Sequence, residues 1–301
     1  MGMGGVSRRS EIRPFLRRLF SDESILPLPA PFRLPLAVAI SLLRTPKVAR
    51  EYQKIGFSPF KEITFRQAHA LSQALGMPVE VGMQYSTPSV AEAMERLKRE
   101  GVEEVVVLPL YPQFSYTTTA SALRFSREAA GELGLRLREV EEWSTLEGLV
   151  LAWVDRISPH LEMGPYILFV AHSIPKRWVE RGDPYPRQVM ATVREVVKRL
   201  GNPKHSLAYQ SAVGPVEWLE PSVEDALKVL KMRGVSRVLV VPVSFLCEHF
   251  ETLYELRETH ARLAGELGFA DYKVVDALND HPMLIEGWRR LVEEVFGEVN
   301  G

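Results

Sequence analysis

The chain has 301 residues, of which 46% are hydrophobic and 25% charged, a composition that excludes a disordered or collagen-like protein. Lysine and arginine total 37 against 38 for aspartate and glutamate, so the net charge of −1 argues against a nucleic acid as main partner. The single cysteine, Cys247, excludes an internal disulfide, a multi-thiolate zinc site and a cysteine-held iron–sulfur cluster, and it fits a reducing cytoplasmic location.

The longest apolar window, residues 34–43, lies near the start of the chain. It is much shorter than the ~20 residues that cross a bilayer. The window therefore predicts either a buried helix or an apolar lip over a hydrophobic ligand. At most, such a lip would give peripheral membrane contact.

The sequence repeats itself at an offset of 133 residues. Residues 88–109 and 221–242 align without a gap, with identical residues at half of the positions. Each copy predicts a helix that begins after a serine N-cap, Ser89 or Ser222, and ends at Gly101 or Gly234. A valine-rich run follows in both, as expected for a strand buried on both faces of a parallel sheet.

Further strands are predicted at 79–85, 136–140, 166–171, 206–210 and 273–275, with helical stretches between them. The fold class is therefore α/β, with two duplicated domains that each contain a four-stranded, mostly parallel sheet flanked by helices. The predicted domains are 1–145, joined by a C-terminal helix at 282–301, and 146–281. The first strand of the N-terminal domain is missing from this sequence, and we expect five to eight apolar residues upstream of Met1.

Ligands of such sheets bind beyond the carboxyl ends of the strands, and two facing sheets would form a cleft. His172 directly follows the apolar run 166–171. It could be a buried core histidine, or it could bind a metal or accept a proton.

A second cluster contains His249 and four glutamates spaced by three, four and three residues: Glu248, Glu251, Glu255 and Glu258. On an α-helix these carboxylates form one stripe. The stripe is either a solvated face or a conduit for a hydrated divalent cation, and oxygen and imidazole ligands suit Fe²⁺. The motifs of zinc proteases, α/β-hydrolases and nucleotide-binding loops are absent from the sequence.

Six segments, in this order, resemble ferrochelatase, the enzyme that inserts Fe²⁺ into a porphyrin. They are FLRRLFSD (15–22), RTPKVAREYQKIGFSP (44–59), LPLYPQFSYTTTAS (108–121), AHSIPKRWVERGDPYP (171–186), YQSAVGPVEWLEPS (209–222) and PVSFLCEHFETLYEL (242–256). The resemblance implies two Rossmann-like domains of the class II chelatase type around a porphyrin cleft. It also implies a lyase of heme biosynthesis.

The resemblance implies that His172 and Glu251 bind the metal and handle the protons. Which of the two is ligand and which is base stays open. The resemblance also implies that His249 supports Glu251. Glu248, Glu255 and Glu258 form the metal conduit. The porphyrin-binding set comprises Met3, Arg44, Tyr52, Ser58, Gln84, Tyr85, Tyr111, Phe114, Ser115, Ser211, Trp218 and Phe245. Within it, Met3, Tyr111, Phe114, Trp218 and Phe245 would form apolar walls, and Arg44, Tyr52, Ser58 and Ser115 would bind propionates.

The chain departs from the family at Gln84, where the family often has arginine, so that one propionate partner is lost; the cluster cysteines of some members and the first strand are also absent. Fe²⁺ is a substrate, and neither a prosthetic group nor an iron–sulfur cluster is expected. The expected macrocycle is protoporphyrin IX, with coproporphyrin III as the other candidate. A cobalt or nickel chelatase and a non-catalytic heme carrier stay open. A cytoplasmic location is expected, with possible contact to the inner membrane or a heme acceptor.

Overall fold

A computed structural model of the chain describes residues 1–212 and 216–297. The helices are α1 (Ile12–Ser21), α2 (Ala30–Lys54), α3 (Phe60–Leu75), α4 (Val90–Arg99), α5 (Thr119–Leu133), α6 (Glu147–Ile157), α7 (Lys176–Glu180), α8 (Tyr185–Arg199), α9 (Val223–Met232), α10 (Ala261–Glu266) and α11 (Pro282–Gly297). The strands are β1 (Glu104–Val107), β2 (Arg136–Glu139), β3 (Tyr166–His172), β4 (His205–Gln210), β5 (Arg237–Val241) and β6 (Asp271–Val274). Short 3₁₀ helices lie at Arg9–Glu11 and Ser158–His160, and a π-helix spans Glu251–His260.

The chain divides into two compact units. Unit 1 comprises Met1–Tyr111, Ser115–Glu142 and the chain from Trp288 onward. Unit 2 comprises Pro112–Phe114 and Trp143–Gly287. The domain boundary predicted at 145 lies close to the change of unit at Trp143, whereas α11 is shared between the units rather than wholly joined to the first.

Unit 2 contains the four-stranded parallel sheet that its sequence predicts. The strand order is β4-β3-β5-β6, and all three pairings are parallel. The central strand β3 is covered on both faces, and residues from Ile167 to Ala171 are fully buried. This burial explains its uninterrupted apolar run, since side chains on both faces of such a strand contact apolar neighbours.

Unit 1 has a shorter version of the same sheet. Strands β1 and β2 pair in parallel, and the segment Met1–Met3 lies between residues 82–85 and 108–110. The predicted strand 79–85 is wrong as a regular strand, because only Met83 forms a bridge, to Gly2 on one side and Ser89 on the other. The neighbouring segment Met1–Met3 is short. Within the predicted strand, it forms backbone hydrogen bonds with residues 82–85 but not with 79–81.

The repeated helices begin as predicted. The Ser89 side chain accepts a hydrogen bond from the Glu92 backbone N–H, and the Glu92 side chain completes a capping box. The Ser222 side chain accepts a hydrogen bond from the Asp225 backbone N–H. Gly101 and Gly234 follow the two helices with φ of 84° and 76°, a conformation that glycine adopts without strain.

The apolar window 34–43 lies within α2, and the prediction of a buried helix is wrong. Ala37 and Ser41 are buried, but Leu34 is 50% exposed and Leu43 81% exposed. Among the described residues, no helix is long and apolar enough to cross a membrane.

Candidate active site

His172 ends strand β3, and its backbone is held on both sides. Its N–H donates to Ser244 Oγ at 3.0 Å, and its carbonyl accepts a hydrogen bond from the Tyr185 hydroxyl at 3.0 Å. Because Ser244 follows β5 and Tyr185 begins α8, two neighbouring elements fix the position of the imidazole.

Glu251 connects the two histidines that sequence reasoning selected. Its Oε2 lies 3.1 Å from His172 Nδ1 and 3.4 Å from His249 Nε2. The other nitrogen of His249, Nδ1, lies 3.0 Å from the Cys247 carbonyl oxygen. Both nitrogens of His249 thus face hydrogen-bond acceptors.

The electrostatics of this group favour charge separation. Burial acts to lower the pKa of His172, but the Glu251 carboxylate outweighs it and raises that pKa. For Glu251 burial acts to raise the pKa, and the charges and hydrogen bonds of His172 and His249 lower it well below the ordinary range. The group is therefore an imidazole–carboxylate–imidazole arrangement in which Glu251 carries the negative charge.

Glu255 lies four residues further along the π-helix. Its carboxylate accepts hydrogen bonds from Ser211 Oγ at 2.6 Å and from Gln210 Nε2 at 3.4 Å. Burial and the charge of Glu251 raise the pKa of Glu255. Ser211, a predicted porphyrin contact, thus donates to Glu255, and its role in porphyrin binding stays a prediction.

The structure separates Glu248 and Glu258 from this group. The buried Glu248 carboxylate accepts hydrogen bonds from Arg257 and the Ala277 backbone, both at 3.0 Å, and from the Thr252 hydroxyl. Glu258 is exposed. In a π-helix the backbone hydrogen bonds join residues five apart, so residues four or five apart share a face. Glu258 comes seven residues after Glu251 and therefore lies on a different face of this helix.

Aromatic rings flank the histidines. Phe245 is buried, with its ring centre 6.2 Å from that of His172 and 5.0 Å from that of His249. The predicted wall residue Trp218 lies in a bridge with Pro175, three residues after His172. Phe114 is partly buried, and its N–H donates to the Gln188 side chain.

Several predicted porphyrin contacts in unit 1 already have protein partners. The Tyr85 hydroxyl donates to Asp22 Oδ2 at 2.8 Å, and the Gln84 amide bridges the hydroxyls of Tyr111 and Ser121 at 2.9 and 3.1 Å. Gln84 and Tyr85 are buried, and their role in porphyrin binding stays a prediction.

The other porphyrin contacts predicted in unit 1 differ in their burial and in their neighbours. Ser58 and Ser115 are buried, and their hydroxyls accept from nearby backbone N–H groups. The Arg44 guanidinium lies over the Phe20 ring at 5.5 Å, Tyr52 lies near Phe57, and Met3 is partly exposed. Their role in porphyrin binding stays a prediction.

Sequence reasoning missed three residues that organise these groups: Ser244, Tyr185 and Asp22. All three lie in segments that resemble the family. That resemblance was the one signal in the sequence that could have identified them. Among the described residues, no cluster of three or more His, Cys, Asp or Glu side chains is arranged to hold a metal ion.

Comparisons with known proteins identify the family of the chain. The family model described as Ferrochelatase matches residues 1–295. The ferrochelatase of Gloeobacter violaceus is 39% identical over 99% of this chain and 96% of its own length, and that of Gloeothece citriformis is 41% identical over 97% and 80%. A solved structure of SirB from Bacillus subtilis with Fe³⁺ shares the fold, with a TM-score of 0.62 and 14% identity over 80% of this chain and 91% of that one. By its sequence, the chain belongs to the ferrochelatase family.

Proposed function

We propose that this chain inserts Fe²⁺ into a porphyrin, with protoporphyrin IX as the macrocycle. The observation that carries the proposal is the placement of Glu251 Oε2 between the imidazoles of His172 and His249 in a chain of this family. Metal insertion releases two pyrrole protons, so the site must supply a proton acceptor close to the macrocycle.

We infer that His172 is that acceptor. Its Nδ1 faces Glu251, which favours the tautomer with a proton on Nδ1 and leaves Nε2 to accept a proton. The His172 side chain is 39% exposed. Glu251 stabilises the resulting imidazolium, and His249 holds Glu251 in place through a contact with the same Oε2 atom.

Glu255 continues the arrangement along the π-helix. Since its pKa is raised, it can take up a proton more readily than an ordinary glutamate. Its carboxylate also suits an incoming hydrated Fe²⁺, whereas Glu248 is engaged by Arg257 and Ala277. We therefore keep Glu255 as the conduit residue.

The test is an anaerobic assay with Fe²⁺ and protoporphyrin IX, followed by the change in the Soret band. Turnover is expected in the wild type, and loss of turnover with retained porphyrin binding is expected in His172→Ala. Parallel reactions with coproporphyrin III, Co²⁺ and Ni²⁺ decide the macrocycle and the metal. Tight heme binding without turnover would support a carrier instead. Contact of α2 with a membrane or a heme acceptor stays a prediction.

A further inference from the structure

Strand β6 lies at one edge of the sheet of unit 2, and the outer side of its backbone is open. The N–H groups of Asp271 and Val275 donate to carbonyls of the neighbouring β5 segment. Because the backbone groups of a strand alternate between its two sides, Tyr272 and Val274 direct theirs away from the sheet. Within the described chain, these outward N–H and C=O groups have no hydrogen-bond partner. The edge can therefore accept a further strand.

A groove runs along this open edge. The cavity measures about 490 Å³, and three consecutive residues of β6 line it, together with residues from the π-helix, from α10 and from the segment before β3: Tyr272, Lys273, Val274, Asp276, Arg257, Ala261 and His160. Successive side chains of a strand point to opposite faces of the sheet. A cavity that touches three consecutive strand residues therefore follows the edge of the strand rather than one face.

The two walls of the groove differ in chemistry. On one face of the sheet, Tyr272 and Val274 pack against the apolar core of unit 2. On the other face, the exposed Lys273 acts on His160 through its charge. Asp271 shares the face of Lys273, but it is not among the described residues that line the groove. One wall is thus apolar and the other is basic.

The basic wall has no acidic partner. Within the described chain, the side chains of Lys273 and His160 make no ion pair and no hydrogen bond. Burial lowers the pKa of His160, and the charge of Lys273 lowers it further, against the opposing charge of Asp276. The Asp276 carboxylate is itself held by Arg257 at 2.6 Å, and Arg257 also binds Glu248. An anionic group beside Lys273 and His160 would therefore be stabilised by both.

We propose that the groove binds an extended acidic peptide segment of a partner protein, which pairs with the edge of β6 as a fifth strand of the sheet. The main-chain bonds come from Tyr272 and Val274, and alternate side chains of the peptide face the two walls. Acidic side chains lie beside Lys273 and His160, and apolar side chains lie on the opposite wall. At about 3.3 Å per residue, the edge from 272 to 276 is about 13 Å long and accommodates about four residues.

The inference goes beyond metal insertion and does not rest on it, because no step of that reaction uses the residues of the groove. The test combines the full chain with two synthetic peptides, acetyl-Glu-Val-Glu-Val-Glu-amide and acetyl-Lys-Val-Lys-Val-Lys-amide. Affinities are measured by calorimetry, and amide hydrogen exchange is measured with and without saturating peptide. The glutamate peptide should bind at least about tenfold more tightly than the lysine peptide. It should also slow exchange at Tyr272 and Val274 at least about fivefold and leave Lys273, which pairs with β5, unchanged.

A charge reversal separates the basic wall from general attraction to the protein. Lys273→Glu should weaken binding of the glutamate peptide at least about tenfold and should reverse the preference between the two peptides. The matched control is Lys204→Glu, which changes an exposed lysine directly before β4, the strand at the other edge of the same sheet. It should leave both affinities unchanged, and thermal melts of both variants check that they are folded.

Three results would overturn the proposal. The first is that neither peptide binds, since the edge is then merely solvated. The second is binding without protection of Tyr272 and Val274, or equal losses in Lys273→Glu and Lys204→Glu, since strand pairing at this edge then plays no part. The third is protection of these two amides that grows with protein concentration in the absence of peptide, because a second copy of the chain would then be the occupant.

Discussion

At the scale of single residues, Glu251 does two things at once: it accepts from His172 and it contacts His249. Glu251→Gln keeps the shape but removes the charge that stabilises a protonated His172. We expect kcat to fall by at least about 100-fold, equivalent to about 2.7 kcal/mol of barrier, with porphyrin affinity nearly unchanged. The measurement is steady-state metallation beside porphyrin binding by fluorescence quenching.

The matched control for that variant is Glu266→Gln, which changes an exposed glutamate in α10. It should metallate porphyrin at the wild-type rate. Retention of more than a tenth of kcat in Glu251→Gln would contradict the role given to this carboxylate.

Tyr185 is a positioning residue, because its hydroxyl donates to the backbone carbonyl of His172 and contacts the Ser244 side chain, which itself binds the His172 backbone N–H. Tyr185→Phe should lower kcat by about 3- to 10-fold and leave KM for porphyrin unchanged, since one hydrogen bond typically contributes about 0.5–1.5 kcal/mol. Tyr166→Phe offers a matched control. It removes the same kind of bond, to the His205 carbonyl, at the other end of β3.

Kinetics of the two tyrosine variants are compared with their melting temperatures. The positioning role requires that Tyr185→Phe lose kcat even at temperatures where both variants are fully folded. If the two variants lose activity equally, the effect belongs to the stability of β3 and not to His172.

At the scale of secondary structure elements, the π-helix changes which carboxylates belong together. The spacing of Glu251, Glu255 and Glu258 fits one face of an α-helix, so sequence reasoning grouped all three. The sequence carries no local signal for π geometry, because the same three- and four-residue spacings occur in any amphipathic helix. By contrast, α4 and α9 were predictable to their N-caps, because a serine and an acidic residue at fixed spacing define a cap chemically.

A paired substitution tests this regrouping. Glu255→Gln should raise KM for Fe²⁺ several-fold, because it removes a buried carboxylate four residues from Glu251 on the shared face. Glu258→Gln should leave KM for Fe²⁺ unchanged, since its side chain is exposed and lies off that face. Initial rates are measured against free Fe²⁺ at saturating porphyrin. Equal increases in both variants would restore the full stripe of carboxylates as the conduit.

At the scale of the whole molecule, the internal repeat predicted more than any single motif. It predicted the parallel sheet of unit 2, and the bonds of Met1–Met3 show the same parallel arrangement in unit 1. What it could not give were contacts between residues far apart in sequence. Asp22 reads locally as the polar end of α1, yet its partners Tyr85, Ser121 and Arg124 are 63 to 102 residues away.

Asp22 links three parts of unit 1 through one carboxylate. Oδ2 accepts from Tyr85 and Ser121, and Oδ1 accepts from the Ser24 backbone and Arg124. Asp22→Asn turns one of these acceptors into a donor that faces donors. Because hydrogen bonds to a charged group contribute about 1.5–3 kcal/mol each, we expect the free energy of unfolding at neutral pH to fall by about 2–3 kcal/mol.

The same carboxylate predicts a pH dependence of stability. Burial acts to raise the pKa of Asp22, but hydrogen bonds from Ser121, Ser24 and Tyr85 outweigh it and lower the pKa below the ordinary value of 3.8. A group with a lowered pKa in the folded state stabilises the protein above its unfolded pKa and stops doing so as the pH falls through the folded value. The difference in unfolding free energy between wild type and Asp22→Asn should therefore be constant from about pH 7 to 5 and shrink below about pH 4. Urea melts of both proteins across that range provide the measurement. A difference that stays constant down to the acid limit would mean that the carboxylate contributes through packing rather than through its charge.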